Sequence, residues 1–440
     1  MKFVTGECMD TRDFDVIVIG AGAAGLTGAL EIGRTGRKVA IVEARSRIGG
    51  RIMTILPSDI PIELGAEFIH GNLPLTKGLL NNAGAGINAV RGRIWQKKEG
   101  AFREQEDFLE DYKNLEEKLR AMMRDKTVAS FLEEDLHGNE YPDLKSSLRN
   151  YVEGYYAADM ERASTFAVRE EFFRDEEEQY RPTGGYRQLI DHLHQECLKI
   201  GVEIFLSKPV LELHWQRGSA TAVTEQEIFR GQKALLTVPI GVLQKERICF
   251  KPALPAVNKA AGSLGYGHVI KVILVFDRAF WQEQPHMSHD LTDLGFLFTG
   301  EEIPTWWTQF PTQYPVLTGW LGGPKAEALH HLKEEEMVEK AITSLGKALQ
   351  KDVVQLHHML VSWHFHNWST DPYAEGAYSY EVVGGSQISK QLLQPVENTL
   401  FFAGEGLHQG PQIGTVEGAL ASGREVSHRL IGCFDSENIV

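Results

Sequence analysis

The residues best suited to chemistry form a glycine-rich turn near the start of the chain. Residues 20–25 read GAGAAG and directly follow the apolar run 14–19. Gly20 permits a tight turn, Gly22 lets a pyrophosphate approach the backbone, and Gly25 allows a helix to pack closely on a strand. A helix that begins there presents unpaired N–H groups and a partial positive charge to phosphates. Although glycine turns are common, the preceding strand makes this one predict a dinucleotide site.

A carboxylate in the next strand narrows the choice of dinucleotide. Glu43 ends the β-branched run 38–43 (KVAIVE), at the distance from the turn where a ribose-binding acid is expected. Its carboxylate can accept hydrogen bonds from a ribose and would repel a 2′-phosphate. NADP is therefore disfavoured, while NAD and FAD both stay open on these residues alone.

Lys271 is the most unusual single residue. It interrupts the apolar run 269–276 (VIKVILVF), on the same strand face as Ile273 and Val275. An unpaired ammonium in such a run is costly, so it needs a partner, a water or a cavity. The alternative is a lysine on an edge strand that reaches solvent.

Histidine pairs suggest a metal site, but the pattern does not support one. Each pair lacks a third ligand at the usual spacing, so no metal is predicted. The pairs are His192 and His194, His357 and His358, and His364 and His366.

Four further segments, together with residues 43–51, resemble the flavin-containing amine oxidase family in the order in which that family carries them. Residues 43–51 (EARSRIGGR) match its E-A-x-x-R-x-G-G-R. The others are 62–71 (IELGAEFIHG), 237–243 (TVPIGVL), 368–380 (Trp368, then DP and GAYSY), and 400–405 with 414–419 (LFFAGE, GTVEGA). The resemblance covers the polyamine oxidase, monoamine oxidase and lysine-specific demethylase branches. It implies FAD as the cofactor.

The resemblance also implies which residues bind the cofactor. Arg45 and Arg51 would offer positive charge to the diphosphate, and Glu405 would bond ribityl or ribose hydroxyls. The N–H of Val416 would face the N1–C2 edge of the flavin. The full expected set is Gly20, Gly22, Ala23, Ala24, Gly25, Glu43, Ala44, Arg45, Gly49, Gly50, Arg51, Leu64, Gly65, Ala66, Glu67, Val210, Thr237, Val238, Trp368, Tyr373, Gly404, Glu405, Thr415 and Val416.

The same resemblance implies the catalytic residues. Lys271 matches the lysine that holds a water against flavin N5, and Tyr378 matches one wall of an aromatic sandwich. Thr415 stands where monoamine-type enzymes have the second tyrosine, and Ala377 stands where they have the cysteine that links flavin covalently. Non-covalent FAD and a site of the polyamine oxidase or demethylase type are therefore expected.

Two residues on the loop that should border the flavin, Glu67 and His70, are candidates for orienting a substrate amine. Each has an alternative, because His70 can be a packed loop residue and Glu67 can be solvated.

The implied reaction is oxidation of an amine C–N bond to an imine, with hydride transfer to flavin N5 and reduction of dioxygen to hydrogen peroxide. The partners would be a small amine, of polyamine type, and dioxygen. One rival is an L-amino-acid oxidase using Arg162 or Arg181 for the substrate carboxylate. The others are a desaturase or porphyrinogen-type oxidase, against which Lys271 speaks, and a non-enzymatic FAD-stabilised scaffold. Histone demethylation is disfavoured because no long helical insertion or extra N-terminal module is present.

These residues require an α/β fold with two units. The alternation of short apolar runs and glycine turns predicts a Rossmann-type domain from residues 1–80, 200–255 and 385–440, and the resemblance implies that this domain binds FAD. A second, α+β substrate domain would comprise 81–199 and 256–384, with a mixed or antiparallel sheet plus helices. An amphipathic helix is expected between Phe108 and Met122.

The amino-acid composition of the chain disfavours several classes of protein. The 440 residues carry a formal charge of −15, which disfavours nucleic-acid binding through a general basic surface. The four cysteines, Cys8, Cys197, Cys249 and Cys433, form no C-x-x-C pair, a pattern that suits a reducing cytoplasm. No apolar run reaches the ~20 residues of a membrane helix, so a cytoplasmic protein without a membrane anchor is expected. The oligomeric state cannot be inferred.

Overall fold

The computed structural model describes residues 10–98, 100–105, 112–136, 141–173, 178–283 and 289–437. Cys8 and Phe108, which the sequence analysis singled out, lie outside these ranges. The helices of the described residues are α1 (Ala23–Gly33), α2 (Pro74–Asn82), α3 (Tyr112–Ala121), α4 (Val128–Glu134), α5 (Pro142–Asn150), α6 (Thr165–Phe172), α7 (Arg187–Lys199), α8 (Ile240–Gln244), α9 (Pro255–Ser263), α10 (Gly323–Leu329), α11 (Glu334–Leu349), α12 (Val353–Met359), α13 (Gly385–Leu392) and α14 (Val416–Glu437).

The strands of the same residues are β1 (Asp10–Asp13), β2 (Val16–Ile19), β3 (Val39–Val42), β4 (Thr54–Ile55), β5 (Ile62–Glu63), β6 (Ile69–His70), β7 (Ile87–Ala89), β8 (Arg93–Lys98), β9 (Ala101–Gln105), β10 (Gln179–Pro182), β11 (Glu203–Phe205), β12 (Glu212–Gln216), β13 (Ser219–Val223), β14 (Glu227–Gly231), β15 (Lys233–Leu236), β16 (Cys249–Lys251), β17 (Gly265–Tyr266), β18 (Val269–Phe276), β19 (Leu294–Thr299), β20 (Thr305–Trp307), β21 (Val316–Gly322), β22 (Leu360–Asn367), β23 (Ser379–Tyr380) and β24 (Leu400–Phe402).

A five-stranded parallel sheet forms the first layer. Its order is β11-β3-β2-β15-β24, and every neighbouring pair is parallel. Strands β2, β3, β15 and β24 are buried along their length, as expected when helices cover both faces of a parallel sheet, while the edge strand β11 is half-buried. Helix α1 packs on it, α7 and α14 pack against α1, and a second five-stranded sheet (β1-β14-β13-β12-β16) lies alongside. The predicted α/β fold is confirmed.

A seven-stranded sheet forms the second layer. Its order is β22-β18-β21-β20-β19-β8-β9, antiparallel throughout except for the pair β19–β8. Strand β18 lies between β22 and β21, so Lys271 is on an interior strand and not on an edge. Helix α11 packs on this sheet and buries its apolar stripe in the same core.

Helices α3 to α6 form a third cluster, which borders the seven-stranded sheet through the π-helical turn Tyr151–Tyr155. Leu115, Leu119 and Met122 are buried in this cluster, as the predicted amphipathic helix requires. The helix begins at Tyr112, after residues that lie outside the described ranges.

Two helices, α7 and α9, pack outside the unit to which the sequence expectation assigned them. Helix α7 was placed with residues 81–199, but Leu189, Leu193 and Cys197 are buried in the core of the parallel sheet. They pack there because α7 lies against α1. Residues 255–264, with α9, join the same core. We propose that the two-unit division otherwise follows the sequence expectation. Within the described ranges, no helix has the length and apolar character needed to cross a membrane.

Candidate active site

A cavity of about 1150 Å³ opens where strands of the parallel sheet end and the seven-stranded sheet begins. The glycine turn before α1 and the end of β3 line one part of it. Lys271 of β18, Trp307 of β20 and Trp320 of β21 line another part. The volume exceeds the ~300–1,000 Å³ usual for ligand pockets, which suits a dinucleotide together with a substrate.

The glycine turn provides an open backbone cradle. Gly20 has φ +108°, and a Cβ at Gly25 would lie 1.9 Å from the Gly20 carbonyl oxygen, so both positions require glycine. A Cβ at Gly22 would meet no atom nearer than 4.0 Å, because the space beside it is the cavity. Gly22 is the N-cap residue of α1 and offers no side chain to its first turn, which leaves first-turn N–H groups for phosphates.

Glu43 is fixed at the end of β3. One carboxylate oxygen accepts the N–H of Ala21 at 2.7 Å and the other accepts the N–H of Arg45 at 2.8 Å. The residue is buried and lines the cavity, so its remaining lone pairs can accept ribose hydroxyls.

The two arginines expected at the diphosphate each hold a carboxylate. Arg45 makes a two-pronged ion pair with Asp371, at 2.8 and 2.6 Å, and Arg51 bonds Glu405 at 2.7 Å and also the Ala377 carbonyl. Burial would raise the pKa of Asp371, but hydrogen bonds from His366 and Arg45 and the charge of Arg45 hold it well below its usual value. Both arginines line the cavity, and their charges are already shared with acids.

Glu405 and Thr415 organise the closing loop. Glu405 accepts the N–H of Gly414 at 3.0 Å and the hydroxyl of Ser379 at 3.2 Å. The Thr415 hydroxyl accepts the N–H of Gly418 at 3.0 Å, so Thr415 caps the N-terminus of α14. In the place where a second aromatic wall would stand, this chain therefore has a helix cap.

Lys271 has the partner that its position demanded. Its side chain is 1% exposed, and Nζ donates to Glu67 at 2.7 Å and to the Gly65 carbonyl at 3.3 Å. An ammonium has three N–H donors, so one is left toward the cavity that Lys271 lines.

Glu67 is saturated with donors. Besides Lys271, it accepts Arg181 Nε at 3.0 Å, Trp307 Nε1 at 2.9 Å and Gln309 Nε2 at 3.1 Å. Burial alone would raise the pKa of Glu67, but the charges of Lys271 and Arg181 lower it to about 2. The predicted role of orienting a substrate amine competes with these four donors.

His70 and Tyr378 both contact Tyr155 of the π-helical turn. The Tyr155 hydroxyl lies 3.0 Å from His70 Nδ1, and the Tyr378 hydroxyl donates to the Tyr155 carbonyl. The Tyr378 ring stacks on Trp320, with centroids 6.5 Å apart and an interplanar angle of 18°. Trp320 Nε1 in turn donates to the Gly154 carbonyl at 2.8 Å.

The predicted residues are brought together with two exceptions. All of the expected cofactor and catalytic positions line the cavity except Gly25 and Leu64. Gly25 packs beneath the glycine turn, and the Leu64 side chain is buried in a small core with Ile273. Leu64 therefore does not line the cavity, and its carbonyl accepts Trp368 Nε1 at 2.9 Å.

Sequence reasoning did not assign Trp307, Trp320 or Tyr155 to the site. Each lies on an element whose pattern indicates only burial or packing, and the resemblance carried no motif there. Among the described residues, no group of three or more His, Cys, Asp or Glu could hold a metal ion.

The site fits FAD. An open glycine cradle, an uncapped helix N-terminus and a fixed acid at the end of β3 would hold the pyrophosphate and ribose. The loop 404–416 and residues 65–67 would border the flavin, with Lys271 directly beside residues 65–67. Ala377 also lines the cavity and offers no side-chain nucleophile, so no covalent link forms there.

Comparison with known proteins agrees with this fit. The family model described as flavin containing amine oxidoreductase matches residues 23–431. Polyamine oxidase 2 of Arabidopsis thaliana is 28% identical, and the match covers 96% of this chain and 89% of that protein. Lysine-specific histone demethylase 1 homolog 3 of the same plant is 29% identical over 98% of this chain, which spans only 31% of that relative.

Solved structures show the same fold at lower identity. A wild-type putrescine oxidase bound to putrescine has a TM-score of 0.80 at 19% identity, with 96% of this chain and 100% of that chain covered. Cyclohexylamine oxidase from Brevibacterium oxydans has a TM-score of 0.78 at 21% identity, with 96% and 100% covered.

Proposed function

Because the chain belongs to the flavin-containing amine oxidoreductase family and is an FAD-dependent, non-covalently loaded member, we propose that it oxidises polyamines or acylated polyamines, with dioxygen as the electron acceptor. When bound, FAD would supply the redox chemistry: a hydride equivalent would leave the carbon beside the amine nitrogen for the flavin, and two electrons and two protons would pass on to dioxygen, which becomes hydrogen peroxide. Water then hydrolyses the imine.

The chain's own residues bind, orient and exclude water. Lys271 holds a water or a reacting molecule at the flavin through its one remaining N–H, and Glu67 fixes the ammonium in place. The rings of Tyr378 and Trp320 form an apolar wall along which the substrate carbon approaches. The amine must be neutral to lose a hydride, so the reductive step should speed up as the substrate deprotonates.

The observation that supports a polycationic substrate is the charge of the cavity beyond the cofactor residues. Five carboxylates from four separate segments line that part, and they outnumber its three cationic side chains, Arg247, Lys325 and Lys390. Side chains of this kind attract extended cations. The carboxylates are Asp125, Glu153, Glu170, Glu171 and Glu381.

The rival function, an L-amino-acid oxidase, lacks the predicted arginine that would bind the substrate carboxylate. Arg181 is held by Glu67 and the Thr308 carbonyl, and Arg162 donates to the carbonyls of Ser263 and Leu264. Neither arginine lines the cavity in the described part of the chain. A substrate carboxylate would find neither of the two predicted arginines there.

A peroxide-coupled screen of the purified holoenzyme tests this function. Spermine, acetylspermine and putrescine should exceed benzylamine and L-amino acids in kcat/KM by at least about tenfold, which corresponds to about 1.4 kcal/mol of transition-state stabilisation. A clear preference for benzylamine or for an L-amino acid would refute the polyamine assignment.

We also propose a cytoplasmic location, which the free thiols of Cys197, Cys249 and Cys433 support.

A further inference from the structure

A buried cluster of charges surrounds Glu67 and is not neutral. Lys271 Nζ and Arg181 Nε both donate to this one carboxylate, at 2.7 and 3.0 Å. The side chains are 1%, 11% and 4% exposed for Lys271, Arg181 and Glu67. Two cations and one anion give the cluster a net charge of about +1, whereas the Lys271–Glu67 pair alone would be neutral.

A neighbouring carboxylate, Glu63, does not cancel this charge in mild acid. Glu63 is buried beside the cluster, and it accepts the Tyr186 N–H at 2.6 Å and the Thr54 hydroxyl at 2.8 Å. Burial raises the pKa of Glu63 to about 7, against these hydrogen bonds and the charge of Lys271. At pH 6 its carboxyl group is therefore mostly protonated.

Arg181 is built into this position from another part of the fold. It lies on β10, which pairs with β6, and its guanidinium carbon lies 4.6 Å from the Phe68 ring centroid. Nη2 donates to the Thr308 carbonyl at 3.1 Å. This planar, permanently charged group is therefore held in a fixed orientation behind Glu67.

A fixed positive charge in a dry site acts on any electron-rich group nearby, because a low local dielectric strengthens the interaction. Two-electron reduction increases the electron density of a bound flavin, and protein charges tune its electronics. We propose that Arg181 is a positioning residue that acts through Glu67: it gives the Lys271 side of the site its net positive charge, raises the midpoint potential of FAD and speeds electron transfer to dioxygen. In that transfer, two electrons and two protons pass from reduced FAD to dioxygen and form hydrogen peroxide. This inference rests on the proposed function, since Lys271 must border the flavin.

Charge-changing variants of the holoenzyme test the sign of the effect, with FAD reduction titrated against a reference dye at pH 6. Arg181→Met removes the charge and keeps the stem over Phe68. At the potential where wild-type FAD is half reduced, the ratio of reduced to oxidised FAD in Arg181→Met should be at least about tenfold lower. For a two-electron couple this corresponds to a midpoint potential that is about 30 mV lower. The bimolecular rate of reoxidation by dioxygen should fall by a similar factor.

Three further variants separate charge from damage. Glu67→Gln makes the cluster more positive, so its ratio should rise at least about tenfold. The double variant Arg181→Met with Glu67→Gln restores the net charge, and Arg181→Lys keeps it, so both should stay within about threefold of wild type. A merely structural role predicts shifts of the same sign for both single substitutions, or no shift, and either result overturns the inference.

Two safeguards keep the result decisive. If Arg181→Met does not retain FAD, Glu67→Gln is compared with the double variant: a ratio of reduced to oxidised FAD at least tenfold lower in the double variant supports the inference, and equal ratios overturn it.

Lys271→Met separates this inference from the proposed function. If Lys271→Met changes the potential and reoxidation while the Arg181 variants do not, only the inference fails. If Lys271→Met changes neither, the proposed role of Lys271 fails, and the inference fails with it.

Discussion

At the scale of single residues, the site depends on how one buried ammonium is paired. Lys271 donates to Glu67 and to Gly65, and Glu67 is in turn held by Arg181, Trp307 and Gln309. The sequence indicated that Lys271 needs a partner, because a lysine in an apolar strand is costly. It could not indicate Arg181 as part of that pairing, since Arg181 is 114 positions from Glu67 and reaches it only through strand pairing of β10 with β6.

The first prediction concerns Lys271→Met. Glu67 keeps three other donors, so folding and FAD binding should survive, while flavin reduction, reoxidation or both should slow by roughly ten- to thousandfold. Stopped-flow measurement of both half-reactions checks this. The matched control is Lys233→Met, a second strand lysine that is 1% exposed but lies outside the cavity lining, and it should leave both rates unchanged. Rates for Lys271→Met within about threefold of wild type would disprove the role.

A second prediction concerns stability and pH. The folded state holds the Glu63 proton up to a pKa of about 7, whereas the unfolded chain releases it near 4.5. Between these values the native state binds more protons, so this group makes stability fall as pH rises, by up to about 3 kcal/mol in total. Glu67 acts in the opposite sense: its pKa of about 2 means that its stabilisation is lost as pH falls from 4.5 toward 2.

Glu63→Gln should therefore remove part of the decline in unfolding free energy between pH 4.5 and 7. Denaturant unfolding at several pH values measures this, with exposed Glu133→Gln as the control. A wild-type slope that Glu63→Gln leaves intact would show that Glu63 titrates normally.

At the scale of elements, helix termini bring the cofactor side of the site together. Helix α14 begins at Val416, beside the cavity, and its Glu417 reaches the N-terminus of α2. The Glu417 carboxylate accepts the N–H of Leu75 at 3.0 Å and both the N–H and hydroxyl of Thr76 at 2.8 Å. The strands and helices next to the glycine motifs could be predicted because their apolar runs and turns are local signals. The placement of α7 could not, since it depends on packing against α1.

A third prediction follows from this cap. Glu417→Ala would leave the α2 donors buried without an acceptor, so the free energy of unfolding should fall by about 2–4 kcal/mol. The comparison is Glu425→Ala on the same helix, where an exposed pair with Arg429 contributes ~0.5 kcal/mol or less. Equal losses for the two variants in denaturant titrations would show that the cap does not stabilise the junction of α14 and α2.

At the scale of the whole molecule, a parallel sheet and a mostly antiparallel sheet border the same cavity. The parallel sheet supplies backbone groups that suit a dinucleotide, and the seven-stranded sheet supplies Lys271, Trp307 and Trp320. Motif order was enough to predict the fold and the residues on the cofactor side of the cavity, but not the larger remaining part of its lining. The aromatic wall was not predictable, because Trp320 and the π-helical turn reach the site only through tertiary packing.

The central claim is that this chain transfers electrons from polyamines to its FAD. The most direct test mixes the yellow holoenzyme with spermine or acetylspermine without dioxygen and follows the absorbance of oxidised flavin. The absorbance should be lost in a single turnover, faster at higher pH, and should return on admission of dioxygen with one hydrogen peroxide per flavin. Benzylamine should reduce the flavin at least about tenfold more slowly. Flavin that stays oxidised with the polyamines over many minutes, or that is reduced faster by benzylamine, would contradict the account.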